Sequence, residues 1–571
     1  MRRPSLPASK LAFPLILSLT SFLAVAQGTR QPNPGGAPSA SSTESGQPPV
    51  APGTPPATSE TGRRGGQGAR GGQGARGDIT TSPEPSAGAA ASTSQQFPAP
   101  PAVERLSKTE HTITINGKTI PYTATAGTLV LKREDERPLA SIFFVAYTRN
   151  DQRDKSTWPL TFAFNGGPGS SSVWLHLGAL GPRRVVMGSP EGIQPAPPYH
   201  LVDNEATALT MSDIVFIDPV TTGFSRQAPG ENPAQFHSVE GDLQSVADFI
   251  RLYLTRFDRW ASPKFLAGES YGTTRAAGLS QVLLQRGIYL NGITLLSSVL
   301  NFETINFAVG NDLPYILFLP TYTATAWYHK KLPGDLAGAL KTAVDEARHF
   351  AEGEYAAALM KGDKLSQQEL TSVAQHLARL TGLPQQFILE SNLRVSMSRF
   401  SKELLRDQRR TIGRYDGRLE GIDIDAAGER AEYDPSYAAV LGVYTAMFNK
   451  YVRDELDYSS DLPYEILTGR VQPWSYGAAQ NRYLNVAEGM REALTQNPSM
   501  HVLFGAGYYD LATPFFAAEY TVAHLELDPT LRSHVNIYYC DAGHMLYMKK
   551  ACLDSFHQAM ANLYSTALAT P

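Results

Sequence analysis

Only two cysteines, Cys540 and Cys552, occur in a chain of 571 residues. That excludes a scaffold stapled by many disulfides and leaves too few thiolates for a cysteine-built zinc site. A single bridge between the two stays open if the chain is exported. An excess of one charge is equally absent. The 50 basic and 54 acidic side chains sum to −4, which offers no electrostatic case for nucleic acid or an anionic surface. No H-E-x-x-H or comparable ligand spacing is present, so neither a metal nor a cofactor is expected. After residue 26 no long uncharged apolar run occurs, and no stable membrane span is expected in the mature chain. Large apolar residues are scarce throughout 27–101, which is built from Gly, Pro, Ser, Ala, Thr and Gln. Such a stretch buries too little surface to offset its ordering entropy and reads as a disordered linker.

What is present begins with the N-terminus. Arg2, Arg3 and Lys10 precede an apolar run over 11–26 that ends Ala24-Val25-Ala26. A charged start, an apolar stretch and small residues at the cleavage positions predict a signal peptide over 1–26, hence a secreted or periplasmic product. Within the linker, Arg64 to Ala69 repeats as Arg70 to Ala75, and a third Arg-Gly opens at Arg76. In an exported chain this reads as a flexible tether rather than a polyanion contact. A hydrophobic fraction of 42% with 10% aromatics supports a large core in the remainder.

Strand patterns over 111–115 and 118–122 flank Asn116-Gly117, a type I′ hairpin signal. Further strands are expected at 129–132, 141–147, 160–164 and 214–217, then a helix ending near Phe257, then strands before Ser270 and at 292–296. Strand, helix, strand in this succession argues a mostly parallel sheet flanked by helices, with an antiparallel N-terminal edge. From 302 to 468 helical patterns dominate, at 335–351, at 367–381 behind the capping box Ser366/Glu369, and at 390–409. Strands return only at 501–505 and 535–539, and a last helix covers 551–566. The expected organisation is therefore a catalytic α/β domain over 102–301 and 469–571, with a helical cap inserted over 302–468.

The chain is organised around Gly268-Glu269-Ser270-Tyr271-Gly272. Gly-x-Ser-x-Gly between a strand and a helix is a nucleophile elbow, which thrusts the serine hydroxyl out at a helix N-terminus. Such a serine needs a base, a carboxylate to orient the base, and N–H donors for the oxyanion. In this kind of sheet they follow in the order Ser, Asp or Glu, His, each on a loop after a strand. Of 12 histidines, His544 sits after the final strand in Asp541-Ala542-Gly543-His544-Met545. Asp510 follows the strand at 501–505; Asp541 is too near His544 in one tight turn, and Asp218 precedes the serine. The expected oxyanion donors are the N–H of Tyr271 and one from Asn165-Gly166-Gly167-Pro168-Gly169. That glycine loop lacks the Lys-Ser or Lys-Thr of a phosphate-binding loop, and Pro168 removes a donor.

Taken together, Asn165 through Ser172, Leu180-Gly181-Pro182, Ile217-Asp218-Pro219-Val220 with Thr222-Gly223-Phe224-Ser225, the elbow, Ala506 through Asp510 and Ala542 through Met545 resemble the serine carboxypeptidase (S10) family. The resemblance implies an α/β-hydrolase fold and release of single residues from peptide C-termini. It implies Ser270 as nucleophile, Asp510 as orienting carboxylate, His544 as base, and Gly167 and Tyr271 as oxyanion donors. Asn165 and Glu269 match positions that bind the substrate's terminal carboxylate, Glu269 by sharing a proton, and Met545 stands beside them as a substrate contact. The partner implied is a peptide with a free C-terminus. The sequence departs where the family usually carries a tryptophan and a second glutamate, here Ala163 and Ala179, and where Ser170 replaces a cysteine. Two other expectations stand beside the first: an esterase or acyltransferase with the same triad, and an inactive binding scaffold.

Overall fold

Order opens on a hairpin. β1 (Arg105–Ile115) and β2 (Lys118–Lys132) pair antiparallel up to Ile115 and Lys118. The two turn residues, Asn116 and Gly117, have φ of 49° and 76°. Positive φ at both central positions is the type I′ geometry whose twist matches the strands it joins. The structure, a computed structural model, describes residues 99–189 and 191–569. The expected signal segment and the Arg-Gly repeats lie outside them. β2 runs unbroken where the sequence marks two strands, because its Thr/Ala/Gly centre is paired on both sides, to β1 and to β3 (Pro138–Arg149).

The strands that follow are β4 (Leu160–Phe164), β5 (Asp213–Ile217), β6 (Lys264–Glu269), β7 (Gly292–Leu296), β8 (His501–Gly507) and β9 (Val535–Cys540). They lie in the order β1-β2-β3-β5-β4-β6-β7-β8-β9. β3 meets β5 antiparallel, and from β5 onward every neighbour is parallel. This is the α/β-hydrolase fold. Strands covered on both faces read as continuous apolar runs, and all five residues of β4 are buried. Alternate side chains serve two cores. Phe162 and Phe164 face α1 (Val239–Arg256) and α2 (Tyr271–Gln285), while Ala163 faces a second cluster containing Trp174 and Tyr147.

The stretch between β7 and β8 is helical but not uniform. α3 (Leu313–Tyr328) and the helices Leu340–Phe350 and Gln367–Thr381 share a core with Tyr509, Leu511 and Phe515. α4 (Pro435–Asp454) instead returns to the sheet, where Tyr444, Phe448 and Tyr451 join the cluster of Trp174 and Tyr147. The hydroxyls of Tyr147 and Tyr451 bond at 2.9 Å, and Tyr147 also reaches His176 Nε2 at 2.6 Å. α5 (Lys550–Leu568) closes the chain.

Three expectations need correction. The helix expected at 390–409 is two, Gln385–Glu390 and Met397–Glu403. Asn392 and Leu393 take φ of 51° and 62°, and Arg394 turns away to grip Asp312 at 2.6 and 2.8 Å. The helix expected from 335 starts at Leu340, and runs on through the wide turn Ala351–Tyr355. Short strands Thr411–Ile412 and Glu420–Gly421 pair within a region expected to hold none. The capping box forms as read: Ser366 Oγ accepts from Glu369 N at 3.2 Å and Glu369 Oε2 accepts from Ser366 N at 2.9 Å. Cys540 and Cys552 are bridged, their Cα atoms 5.9 Å apart. No helix among the described residues is long and apolar enough to cross a membrane.

Candidate active site

The site grows from the carboxyl ends of β4, β6, β8 and β9, where open parallel sheets leave room for ligands. Ser270 follows β6 directly and takes φ 59° and ψ −131°. That conformation costs a non-glycine residue about 1–3 kcal/mol and persists only where the surroundings hold it. Here Ser270 N donates to Leu296 O on β7 at 3.0 Å, and Thr273 Oγ1 donates to Ser270 O at 2.6 Å. Tyr271 N is the first amide of α2, one of the donors a helix start leaves unpaired within itself.

The loop after β4 lies against this elbow, and glycine is what lets it. A Cβ on Gly166 would stand 2.3 Å from Tyr271 N, and one on Gly272 would stand 2.6 Å from Phe164 O. Gly167 has φ +102°, open to glycine and strained for other residues. Arg275 on α2 clamps the contact. Fully buried, it donates from Nη1 to Asn165 O at 2.5 Å and from Nε to Asp242 Oδ2 at 2.8 Å. Ser170 ties the far side down, donating to Ile466 O at 3.2 Å and accepting from Trp174 Nε1 at 3.0 Å.

Asp510 and His544 meet 2.8 Å apart, Oδ2 to Nδ1. The carboxylate is wholly buried and held by the Ala512 and Thr513 amides on Oδ1 and the Thr513 hydroxyl on Oδ2. With Nδ1 so engaged, Nε2 is the ring nitrogen left for the cavity that His544 lines. The competing carboxylates go elsewhere. Asp541 pairs with Lys549 Nζ at 2.9 Å. Asp218 accepts from Ser172 N at 2.9 Å, and burial pushes its carboxyl up to about 7.

The imidazole is seated by two residues that no motif marks. Tyr415, from the segment between β7 and β8, stacks on its ring with centroids 5.0 Å apart, and Tyr415 O accepts from His544 N at 2.6 Å. Ser297 Oγ donates to His544 O at 2.6 Å. Only the fold brings them together; their sequence neighbourhoods carry no signal. The single cluster of ligand-type side chains among the described residues is Cys540, Asp541 and Cys552, whose sulfurs are joined to each other.

Asn165, Gly167, Glu269, Ser270, His544 and Met545 all line one cavity, with Trp174, Tyr437, Val440 and Leu467 supplying apolar wall. Tyr271 is not among the residues that line it, and its ring is buried against Trp474 and Phe302. Burial raises the Glu269 carboxyl to about 7 against the pull of His544 and a hydrogen bond from Tyr547, Oη to Oε2 at 2.7 Å. Asn165 Oδ1 accepts from Leu175 N at 3.0 Å, and its buried side-chain amide acts on the Glu269 carboxyl, favouring the ionised form. Ala163 and Ala179 are buried in the core and offer the cavity nothing. The arrangement brings a strained serine, an oriented imidazole and a buried acid to one cavity.

A family model described as serine carboxypeptidase matches residues 118–550. The pheromone-processing carboxypeptidase KEX1 of Saccharomyces cerevisiae is 34% identical over 157 residues, covering 26% of this chain and 20% of that protein. Serine carboxypeptidase-like 37 of Arabidopsis thaliana is 30% identical over 175 residues, covering 28% of this chain and 34% of that protein. The alignments thus span a fifth to a third of these relatives' lengths. A crystal structure of a prohormone-processing carboxypeptidase from Saccharomyces cerevisiae matches with a TM-score of 0.48 at 18% identity, over 78% of this chain and 91% of that one.

Proposed function

The chain belongs to the serine carboxypeptidase family, and from that premise we propose that it releases C-terminal residues from peptides through an acyl-enzyme. The observation that carries the reading is the cavity in which Ser270 and His544 stand beside Asn165 and Glu269. A nucleophile with its base gives hydrolysis; a buried acid and an amide N–H beside it give a seat for a terminal carboxylate.

Ser270 Oγ attacks the scissile carbonyl carbon while His544 Nε2 takes its proton. Asp510 keeps Nδ1 protonated and steadies the imidazolium. The tetrahedral oxyanion accepts from Gly167 N and Tyr271 N. Collapse expels the terminal amino acid, its amine protonated by His544, and leaves the peptide esterified to Ser270. Water, deprotonated by His544, then attacks the ester, and the proton returns to Ser270 as the shortened peptide leaves. Below about pH 7 Glu269 keeps its proton and donates to the substrate carboxylate; ionised, it repels that carboxylate. The Trp174, Tyr437, Val440 and Leu467 wall favours an apolar side chain next to the cleaved bond. The 1–26 pattern and the Cys540–Cys552 bridge support export to an oxidising compartment.

An esterase or acyltransferase is the second reading, favoured by the burial of Ala163 and Ala179, which bring no polar group to the cavity. One peptide, with a free or an amidated C-terminus, separates the two. Stepwise shortening of the free form alone is the expected result, and Ser270→Ala lowers it by about 10³-fold or more with the thermal transition unchanged. Equal cleavage of both forms, or ester turnover without peptide turnover, replaces the first reading with the second.

A further inference from the structure

Resting on the carboxypeptidase reading, we propose that Tyr547 is a positioning residue for substrate-carboxylate recognition: by donating to Glu269 Oε2 it turns the acid proton of Glu269, on Oε1, toward the substrate. The bond is 2.7 Å long and both side chains are 3% exposed. A neutral carboxyl has one hydroxyl and one carbonyl oxygen, and a phenol that donates to Oε2 makes that oxygen the carbonyl. The acid proton then resides on Oε1, the oxygen Tyr547 does not hold, and Glu269 lines the cavity. Asn165, whose buried Nδ2 acts on the Glu269 carboxyl and which lines the same cavity, supplies the second donor a carboxylate needs.

Tyr547 is built into this place. It sits in the turn Leu546–Met548, directly after His544 and Met545, so the loop that carries the base also carries the group that orients the acid. Its ring packs on Gly178, where an added Cβ would stand 2.4 Å from Cε2, with the Tyr444 hydroxyl alongside. A Cβ at 178 would overlap the ring, so glycine there is what lets the tyrosine lie where it does. Burial holds the Tyr547 phenol far above its usual range, which keeps it a donor at every working pH. The charged and titratable groups acting on Glu269 are His544, which favours its ionised form, Asp510, which opposes it, and Tyr547. The Tyr444 and Tyr415 phenols also feel its charge, and both stay neutral.

The test is Tyr547→Phe, which keeps the ring and removes the donor. The substrates are a free-acid peptide and an N-acyl amino-acid ethyl ester that lacks a terminal carboxylate, compared from pH 5 to 9. The ratio of their kcat/KM values is expected to fall about five- to tenfold, mainly through KM, the size of one net hydrogen bond. The alkaline limb of the peptide profile moves to higher pH, because a lost donor no longer favours the Glu269 anion. In Glu269→Ala, which removes the group Tyr547 holds, the further Tyr547→Phe change leaves the ratio where Glu269→Ala alone put it, since both act through one contact. An unchanged ratio and limb, or additive losses in the double variant, overturn the role of Tyr547. A wild-type protein that takes peptide amide and free acid alike overturns the carboxypeptidase reading and this inference with it.

Discussion

Glu269, proposed to recognise the substrate carboxylate, also ties the fold's stability to pH. Its ordinary range is near 4.5, and burial beside Asp510 lifts it to about 7. Between those values the folded chain holds a proton that the unfolded chain has lost, so raising pH across that window destabilises the fold. The loss approaches about 3 kcal/mol once both forms have titrated, at 1.36 kcal/mol per pH unit. Glu269→Gln removes the titrating group. Urea midpoints at pH 5 and pH 8 are therefore expected to lie closer together in the variant than in the wild type. An equal fall in both would mean that other groups set the pH dependence.

At the scale of elements, α2 performs two tasks at once. Its first amide is an expected oxyanion donor, and one turn later Arg275 holds the carbonyl of Asn165 on the facing loop. Asp242 on α1 balances the Arg275 charge inside the core. Asp242→Asn leaves the guanidinium buried and uncompensated, at an expected cost of about 3 kcal/mol in urea unfolding. The loop loses its anchor with it, so kcat on an ester substrate is expected to drop about tenfold, as for a weakened oxyanion donor. Stability lost with kcat intact would make the pair structural only. The second cross-element tie is Cys540–Cys552, which joins the end of β9 to the first turn of α5 on either side of the His544 loop.

At the scale of the molecule, the segment between β7 and β8 is more than an attachment. Tyr415 covers the base, Tyr437 and Val440 wall the cavity, and α4 fills the core of the sheet with Tyr444, Phe448 and Tyr451. Replacing 302–468 by a short linker strips those aromatics from one face of the sheet. Loss of the cooperative thermal transition is the expected result; a separable cap would leave the transition in place.

Local chemistry alone decided much of this protein. The Asn116-Gly117 turn, the Ser366/Glu369 capping box and the apolar run of β4 are each settled by backbone and burial preferences of neighbouring residues, and all appear as read. Ser270, Asp510 and His544 were legible because each follows a strand, and parallel strands deliver their ends to one edge. Other features depended on contacts distant in sequence. The helix expected at 390–409 breaks because Arg394 finds Asp312. α3 shows no helical stripe, being apolar nearly all round with Pro320 inside it. Tyr415, Ser297, Arg275 and Tyr547 belong to no motif, and each reaches the site through tertiary contacts alone. The site motifs were written in short stretches whose geometry is local, while the contacts that seat His544 and hold Glu269 came from packing, which links residues hundreds of positions apart.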